Sequence, residues 1–449
     1  MPQAMKVPLD AIRDCLEGAA PGVIATCAAD GTPNASYLSQ VQYVDRQHVA
    51  LSFQFFNKTR ANVLANPRAR LMVIHPVSGA LYRLTVEYLR TESEGPLFES
   101  MRAKLASIAS HTGMAGVFRL LGADVYRVSD IEALHGMPPG APATLNRLAA
   151  LRAASTRVAR CADLDALFGA TLAALHEHFD VQHAMLLLLD AGAARLYTVA
   201  SLGYPASGVG SEIPVGAGVI GVAAREGAPI RLFRLTADYA YGRAIRAAAV
   251  RDGIDGPLEK EIPFPGLKEA RSQLAVPIPV AGRTAGVLFV ESPSDLRFGY
   301  DDEDALVALA VQVGQAMHVF ELADDHDGQA AEGPVQAPRA RGEAVTVRHY
   351  PADDSVFLGD DYLIKGVAGA VFWALVCDHA NSGRSAFSNR ELRLDPRIRL
   401  PDVGDNLEAR LVLLQRRLVE RDACVRIERT GRGRFSLQVT RPLQLVQVG

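Results

Sequence analysis

Cysteine is scarce: five in 449 residues, none in a C-x-x-C pair. Cys15, Cys27, Cys161, Cys377 and Cys424 are odd in number and widely scattered, which argues against a disulfide framework or a thiolate zinc site. They are expected to be reduced and mostly buried. Long hydrophobic runs are absent too, and residues 1–10 lack the basic start and apolar block of a secretory leader. The expectation is a cytoplasmic protein with no membrane partner. Charge of one sign is missing overall, with 47 Lys+Arg against 50 Asp+Glu, so the chain is not a polyanion or polycation throughout. No nucleophile stands beside a base, no carboxylates pair in a recognisable frame, and no metal cluster is spaced for ligation, so no catalytic residue and no metal ligand is assigned. What is present is apolar: 49% hydrophobic residues, in a length that suits about three domains, each able to bury a core.

Residues from about 8 to 135 alternate short β-like runs with turn signals. Val23–Ala28, a turn at Asp30-Gly31, and Ala35–Tyr43 make an opening pair, and Val49–Phe56 follows. A helix is predicted over 59–66, strands over 70–75, 81–91 and 124–128, and a longer helix over 95–121. In the stretch Phe55-Phe56-Asn57-Lys58-Thr59-Arg60-Ala61-Asn62, a strand empties into a Lys-Thr-Arg turn at a helix start. Two cations, a hydroxyl and unpaired backbone N–H groups in one place suit a phosphate. The same residues could equally be a capped helix start with exposed charges.

With the preceding Asp30-Gly31-x-Pro33 turn, this stretch resembles the flavin-binding split barrel of the pyridoxamine-phosphate-oxidase-like superfamily, over residues 1–136. The resemblance implies that Lys58, Thr59, Arg60 and Asn62 hold the phosphate of FMN. It also implies that Ser39, Gln40 and Val41 lie along the flavin ring, and that a homodimer completes the site. The same barrel is known with deazaflavin, with haem or with nothing bound; His75 and His111 are the histidines a haem would require, and a packed or exposed histidine reads as well.

A Pro/Gly stretch, Met137-Pro138-Pro139-Gly140-Ala141-Pro142, breaks the pattern before a helix over 145–161. That helix reads either as a dimer-forming connector or as the ordinary first helix of the next domain. A helix over 164–179, the apolar strand Ala184–Leu189, a strand over 196–202, the Gly216-x-Gly218 bend into a helix, the strands 272–280 and 285–291, and a last helix after Asp301-Asp302-Glu303 follow in order. This order resembles a GAF domain over 145–322: an antiparallel sheet with helices on one face and a ligand pocket on the other. The long insert between Phe233 and Arg271 carries Tyr239, Tyr241, Arg243, Arg246 and Arg251. Its position suits a lid over a small molecule, and a dimer contact or a flap remains open. The ligand is unknown. Residues 323–344, rich in Asp, Gly, Ala, Pro and Gln, read as a flexible linker.

The last segment concentrates positive charge: 14 arginines against 8 acids between Arg384 and Arg441. Leu407, Leu411, Leu414 and Leu418 share one stripe of a helix, and Arg410, Arg417 and Arg421 lie beside it. A hairpin follows, 425–429 and 435–439, with Arg432 and Arg434 near its tip. Ser388 with Glu391 predicts a capping box at the start of a shorter helix. Helix and hairpin together resemble the third helix and wing of a response-regulator-type winged helix-turn-helix domain over 345–449. The resemblance implies double-stranded DNA as partner, met by Arg410, Arg417, Arg421, Arg432 and Arg434 on an outward face. A merely solvated face or a protein-binding module is the other reading.

The expected fold class is therefore multidomain α+β: a split β-barrel, a GAF sandwich with an antiparallel sheet, and a winged helix. The expected function is a one-component sensor and transcriptional regulator, dimeric, with flavin- or small-molecule-sensing domains. The alternative is an FMN-dependent oxidoreductase of the same superfamily with regulatory C-terminal domains.

Overall fold

The computed structural model describes residues 7–16, 22–38, 40–53, 58–76, 78–102, 120–135, 146–232, 262–326, 342–398, 407–431 and 433–448. The N-terminal domain is one antiparallel sheet ordered β2-β1-β5-β6-β7-β4-β3. Its strands are β1 (Gly22–Cys27), β2 (Pro33–Leu38), β3 (Val41–Asp45), β4 (His48–Phe53), β5 (Arg68–Ile74), β6 (Leu81–Glu92) and β7 (Gly122–His135). In β5 the buried Ala69, Leu71 and Val73 alternate with the exposed Arg68, Arg70 and Met72, so one face of the sheet wraps an apolar core. The 3-10 segment Leu9–Leu16 adds Ile12 and Leu16 to that core. The single strand expected over 35–43 is two strands. β2 and β3 lie at opposite edges of the sheet, one paired with β1 and the other with β4. Of the helix expected over 95–121, residues 96–102 are helical and 103–119 lie outside the described residues.

The middle domain holds a six-stranded antiparallel sheet ordered β10-β9-β8-β13-β12-β11. Here β8 is His183–Asp190, β9 Arg195–Leu202, β10 Glu212–Pro214, β11 Ile230–Leu232, β12 Ser272–Val280 and β13 Arg283–Ser292. The near-continuous apolar text of β8 follows from burial on both faces. Leu186 and Leu188 meet the core on the side of the helices Arg147–Val158, Leu164–Phe179 and Tyr300–His326, while Met185 and Leu187 meet the core that includes the Gly218–Glu226 helix. The expected Gly216-x-Gly218 bend is present, with φ of 86° and 59°, values that favour glycine.

The stretch Tyr300–Leu322 corrects the expectation that no apolar run reaches spanning length. The helix spans 23 residues there, its most apolar 18-residue window has a mean hydropathy of 1.4, and by length and composition it is long and apolar enough to cross a membrane. In the fold, Leu309, Val313 and Met317 are buried in the domain core. At Gly314 the helix comes so close to β12 that a Cβ would lie 2.1 Å from the Pro279 carbonyl oxygen. The helix continues to His326, past the expected boundary at 322.

Among the described residues the C-terminal domain has two small sheets and three helices. β14 (Val345–Tyr350), β15 (Ser355–Leu358), β16 (Asp361–Ile364) and β20 (Leu443–Gln447) form one sheet, in which β14 and β20 are parallel. β17 (Ala386–Ser388), β18 (Val425–Gly431) and β19 (Arg434–Val439) form the other. The helices are Gly366–Ser382, Asn389–Leu394 and Leu407–Glu420. The capping box at Ser388 and Glu391 forms as expected.

The three domains touch directly. Between the first two, the Tyr300 hydroxyl donates to the Leu16 carbonyl at 3.0 Å, and its ring lies between the Arg13 and Arg231 guanidiniums, 4.6 and 4.3 Å away. The middle and C-terminal domains share one apolar cluster that runs from Phe168 and Leu186 to Leu413 and Leu437. Such a shared core is characteristic of a committed interface rather than a loose tether.

Candidate functional site

At the start of the Lys58–Ala65 helix the described structure gathers a neutral polar set. The Thr59 hydroxyl lies 2.6 Å from Ser36 Oγ and accepts from Asn34 Nδ2 at 2.9 Å. Lys58 stands exposed beside them at the first helical position. Lysine, two hydroxyls, an amide and a helix N-terminus are donors suited to a phosphate group. Asn34 and Ser36 were missed in the sequence, although their alternation on β2, both half-buried between exposed neighbours, is the signal that could have found them.

Two of the expected phosphate ligands are committed elsewhere. Arg60 Nη1 donates to both carboxylate oxygens of Asp124 at 2.5 and 2.6 Å, Nη2 donates to Thr91 at 3.0 Å, and the guanidinium lies 3.9 Å from the Phe53 ring centroid. Asn62 Nδ2 donates to Thr26 Oγ1 at 3.0 Å, in the buried interior. Both knit the helix to the sheet. Val41 is buried in the barrel core, Gln40 donates to Gln42 Oε1 at 3.2 Å, and Ser39 lies outside the described residues. His75 is buried, accepts from Ser78 N at 3.1 Å, and lies 3.8 Å from Asp14, the arrangement of a packed histidine; His111 lies outside the described residues.

The second candidate site is a polar row across the middle sheet. His183, Glu291 and Gln273 are paired side by side on β8, β13 and β12. They stand two residues along from the row Met185, Phe289 and Ala275, which belongs to the core on the Gly218–Glu226 side, so the alternation of the strands points all three to that face. Glu291, 1% exposed, accepts from the Tyr204 hydroxyl at 2.9 Å, the Leu267 amide at 2.8 Å and Gln273 Nε2 at 3.1 Å. Burial pushes its carboxyl above the usual range despite those donors, and burial beside Glu291 pushes the Tyr204 phenol up as well. Gln273 Oε1 and His183 Nδ1 are buried without a partner among the described residues. Unsatisfied buried polar atoms beside a buried carboxylate mark a place where a ligand can supply the missing bonds. The expected lid residues Tyr239, Tyr241, Arg243 and Arg246 lie outside the described residues.

The C-terminal arginines require a correction. Arg410 and Arg417 were expected to face outward; they are 5% and 2% exposed. Arg410 Nη2 donates to Asp190 at 2.8 Å, and its guanidinium lies 4.1 Å from the Tyr197 ring centroid. Arg417 donates to Glu420 at 2.5 Å and to the Leu363 carbonyl at 3.1 Å, and burial pulls its pKa down. Arg416 donates to Asp165 at 2.8 Å and to the Val199 carbonyl at 2.9 Å. Val199 sits at a register shift in the β8/β9 ladder, which leaves its carbonyl available. Arg429 meets Asp163 at 3.3 Å, and Lys365 meets Glu212 at 3.1 Å. The helix that a duplex would require on the surface is instead seated on the middle domain, with Arg410 and Arg416 answered by that domain's Asp190 and Asp165 and Arg417 held within its own domain. Arg421 is exposed, Arg434 is half-buried, and Arg432 lies outside the described residues. Arg421, with Arg426 and Arg441, lines an open groove of about 630 Å³ that also carries Asp361, Asp422 and Glu428.

Of the cysteines, Cys15 alone is fully buried, its pKa pushed up to about 12, and the other four are partly exposed rather than mostly buried as expected. Among the described residues no group of His, Cys, Asp and Glu could hold a metal ion.

Residues 8–129 match the pyridoxamine 5'-phosphate oxidase family, and residues 163–317 match the GAF domain family. Comparison with curated proteins gives no match. Among solved structures, an FMN-binding protein from Syntrophomonas wolfei subsp. wolfei is 17% identical and covers 29% of this chain and 87% of its own, with a TM-score of 0.25. Free methionine-R-sulfoxide reductase from Neisseria meningitidis is 23% identical over 42% of this chain and 98% of its own, with a TM-score of 0.32. The GAF domain of an Acinetobacter phosphoenolpyruvate-protein phosphotransferase is 19% identical over 42% of this chain and 99% of its own, with a TM-score of 0.31. The family matches end at residue 317, so the C-terminal domain stands on its structure alone.

Proposed function

From a chain that carries a split-barrel domain of the pyridoxamine 5'-phosphate oxidase type followed by a GAF domain, we propose a two-pocket sensor whose C-terminal domain is the output, held closed in the arrangement described. FMN is the proposed cofactor of the barrel. Its phosphate would be held by Lys58, Thr59, Asn34 and Ser36; when bound, it supplies a redox-active ring. The GAF domain would take a second small molecule at Glu291, Gln273 and His183. The C-terminal domain is read as a winged helix: the order of sheet, three helices and hairpin supports this, with β17 joining the hairpin sheet between the first two helices.

The observation that carries the reading is the position of the Leu407–Glu420 helix. Arg410 and Arg416 are spent on Asp190 and Asp165 of the GAF domain, so a change that loosens the GAF domain would free those two guanidiniums. Duplex DNA is the proposed partner of the freed form, since a polyanion competes for the same guanidiniums. The test uses the full chain and its Asp163→Asn/Asp165→Asn/Asp190→Asn variant, titrated with duplex DNA at about 50 and 200 mM salt. The variant is expected to bind more tightly than the wild type and to weaken steeply with salt. If neither form binds at low salt, the nucleic-acid output is refuted and a sensor with another output remains.

A further inference from the structure

The segment from Gly203 to Ser211, which joins β9 to β10, touches both the Glu291 cluster and the closed C-terminal helix. At one end, Tyr204 donates its hydroxyl to Glu291 Oε1 at 2.9 Å, with the His183 ring centroid 5.4 Å from its own. At the other, Ser207 Oγ donates to Glu420 Oε1 at 2.8 Å, and the second oxygen of Glu420 accepts from Arg417. Ser207 has little freedom. Its hydroxyl also accepts from the Val209 amide at 3.1 Å, and its carbonyl accepts from Ser201 Oγ at 2.6 Å.

The segment is wedged as well as bonded. Gly208 and Gly210 have φ of 59° and 89°; a Cβ at the first would lie 2.3 Å from Pro265 Cδ, and at the second 2.6 Å from Ile262 Cδ1. The same 262–267 stretch supplies the Leu267 amide to Glu291. The same Cβ on Gly210 would also be 3.6 Å from Arg417 Cδ. The segment therefore packs against both the 262–267 stretch beside the Glu291 cluster and the C-terminal helix, and close-packed elements of this kind pass on displacement rather than absorbing it.

We infer that the 203–211 segment is the relay of the sensor: a ligand that draws Glu291 away from Tyr204 shifts the segment and breaks the Ser207–Glu420–Arg417 latch. The inference rests on the sensor reading and adds its internal route. Only a change that differs between the closed and open arrangements can move that equilibrium, and the Tyr204–Glu291 bond has that property because it ties the segment to the pocket in the closed form.

The experiment is hydrogen exchange with peptide resolution on the full chain and its Tyr204→Phe, Ser207→Ala and doubly substituted forms. Tyr204→Phe is expected to speed exchange in residues 407–420 by about tenfold, the size of one buried hydrogen bond, and to leave the Lys58–Ala65 helix unchanged. Ser207→Ala is expected to do the same at 407–420 without speeding 262–267. The double substitution should then be no faster than the larger single effect, because both act on one path. Faster exchange around Glu291 with 407–420 unchanged overturns the relay. So do effects that simply add, even where Tyr204→Phe loosens the whole GAF domain. Failure of the chain to bind DNA would leave this result standing and refute only the nucleic-acid output.

Discussion

Asp190→Ala is the sharpest perturbation of the closed arrangement. The Asp190–Arg410 pair is 2.8 Å long with side chains 16% and 6% exposed, so the variant removes the Asp190 carboxylate from a buried guanidinium. Breaking a buried pair from one side costs about 3 to 5 kcal/mol. The lower figure applies, because the Tyr197 ring still faces the cation from 4.1 Å. Undocking returns Arg410 to water, so the penalty falls on the docked form alone. At about 1.4 kcal/mol per factor of ten, 3 kcal/mol raises the population of the undocked form by roughly 150-fold. Amide exchange in the Leu407–Glu420 helix should accelerate by about two orders of magnitude, while the Lys58–Ala65 helix keeps its protection. Replacing both partners by leucine should restore most of the loss, since an apolar pair costs no desolvation. A rate at 407–420 within threefold of wild type in Asp190→Ala would show that the pair does not hold the domains together.

Three further outcomes are expected. Lys58→Ala and Thr59→Val should each weaken FMN binding by about tenfold in a flavin-fluorescence titration, the effect of one charge-assisted hydrogen bond; unchanged affinity would refute the phosphate site. Arg60→Leu should instead destabilise the barrel by about 3 kcal/mol in denaturant unfolding, since Asp124 loses its buried partner, and an Arg60→Leu/Asp124→Leu double should recover much of it. Burial holds Glu291 above its usual 4.5, so the folded chain keeps a proton that the unfolded chain releases; its contribution is full below 4.5 and is lost as pH rises through the raised folded value. Glu291→Gln should therefore melt with a flatter dependence on pH over that window, and equal slopes for the two proteins would contradict the raised pKa.

Local chemistry was legible where it is short-ranged. The capping box at Ser388, the hairpin Val425–Val439, the Gly216–Gly218 bend and the buried strand Ala184–Leu189 depend on neighbours a few residues away, and the chain spells them directly. The phosphate site was half legible. A helix start after a strand exposes Lys58 and Thr59 whatever surrounds it, but Arg60 found Asp124 on β7, and Asn34 and Ser36 arrived from β2. A long guanidinium reaches its acid across a fold that sequence spacing does not describe.

By itself the sequence determined the split barrel and the GAF domain that follows it, and the amphipathic stripe of the Leu407–Glu420 helix. Those follow from periodicity, which every residue carries locally. Tertiary structure decided what the other side of that helix meets. Arg410 and Arg416 lie beside the stripe as an ordinary solvated flank would, yet Asp190 and Asp165, 220 and 251 residues earlier in the chain, neutralise them and make their burial tolerable. Charge on a helix face is written in the chain; whether water, a nucleic acid or the protein's own acids answers it depends on which domains come together.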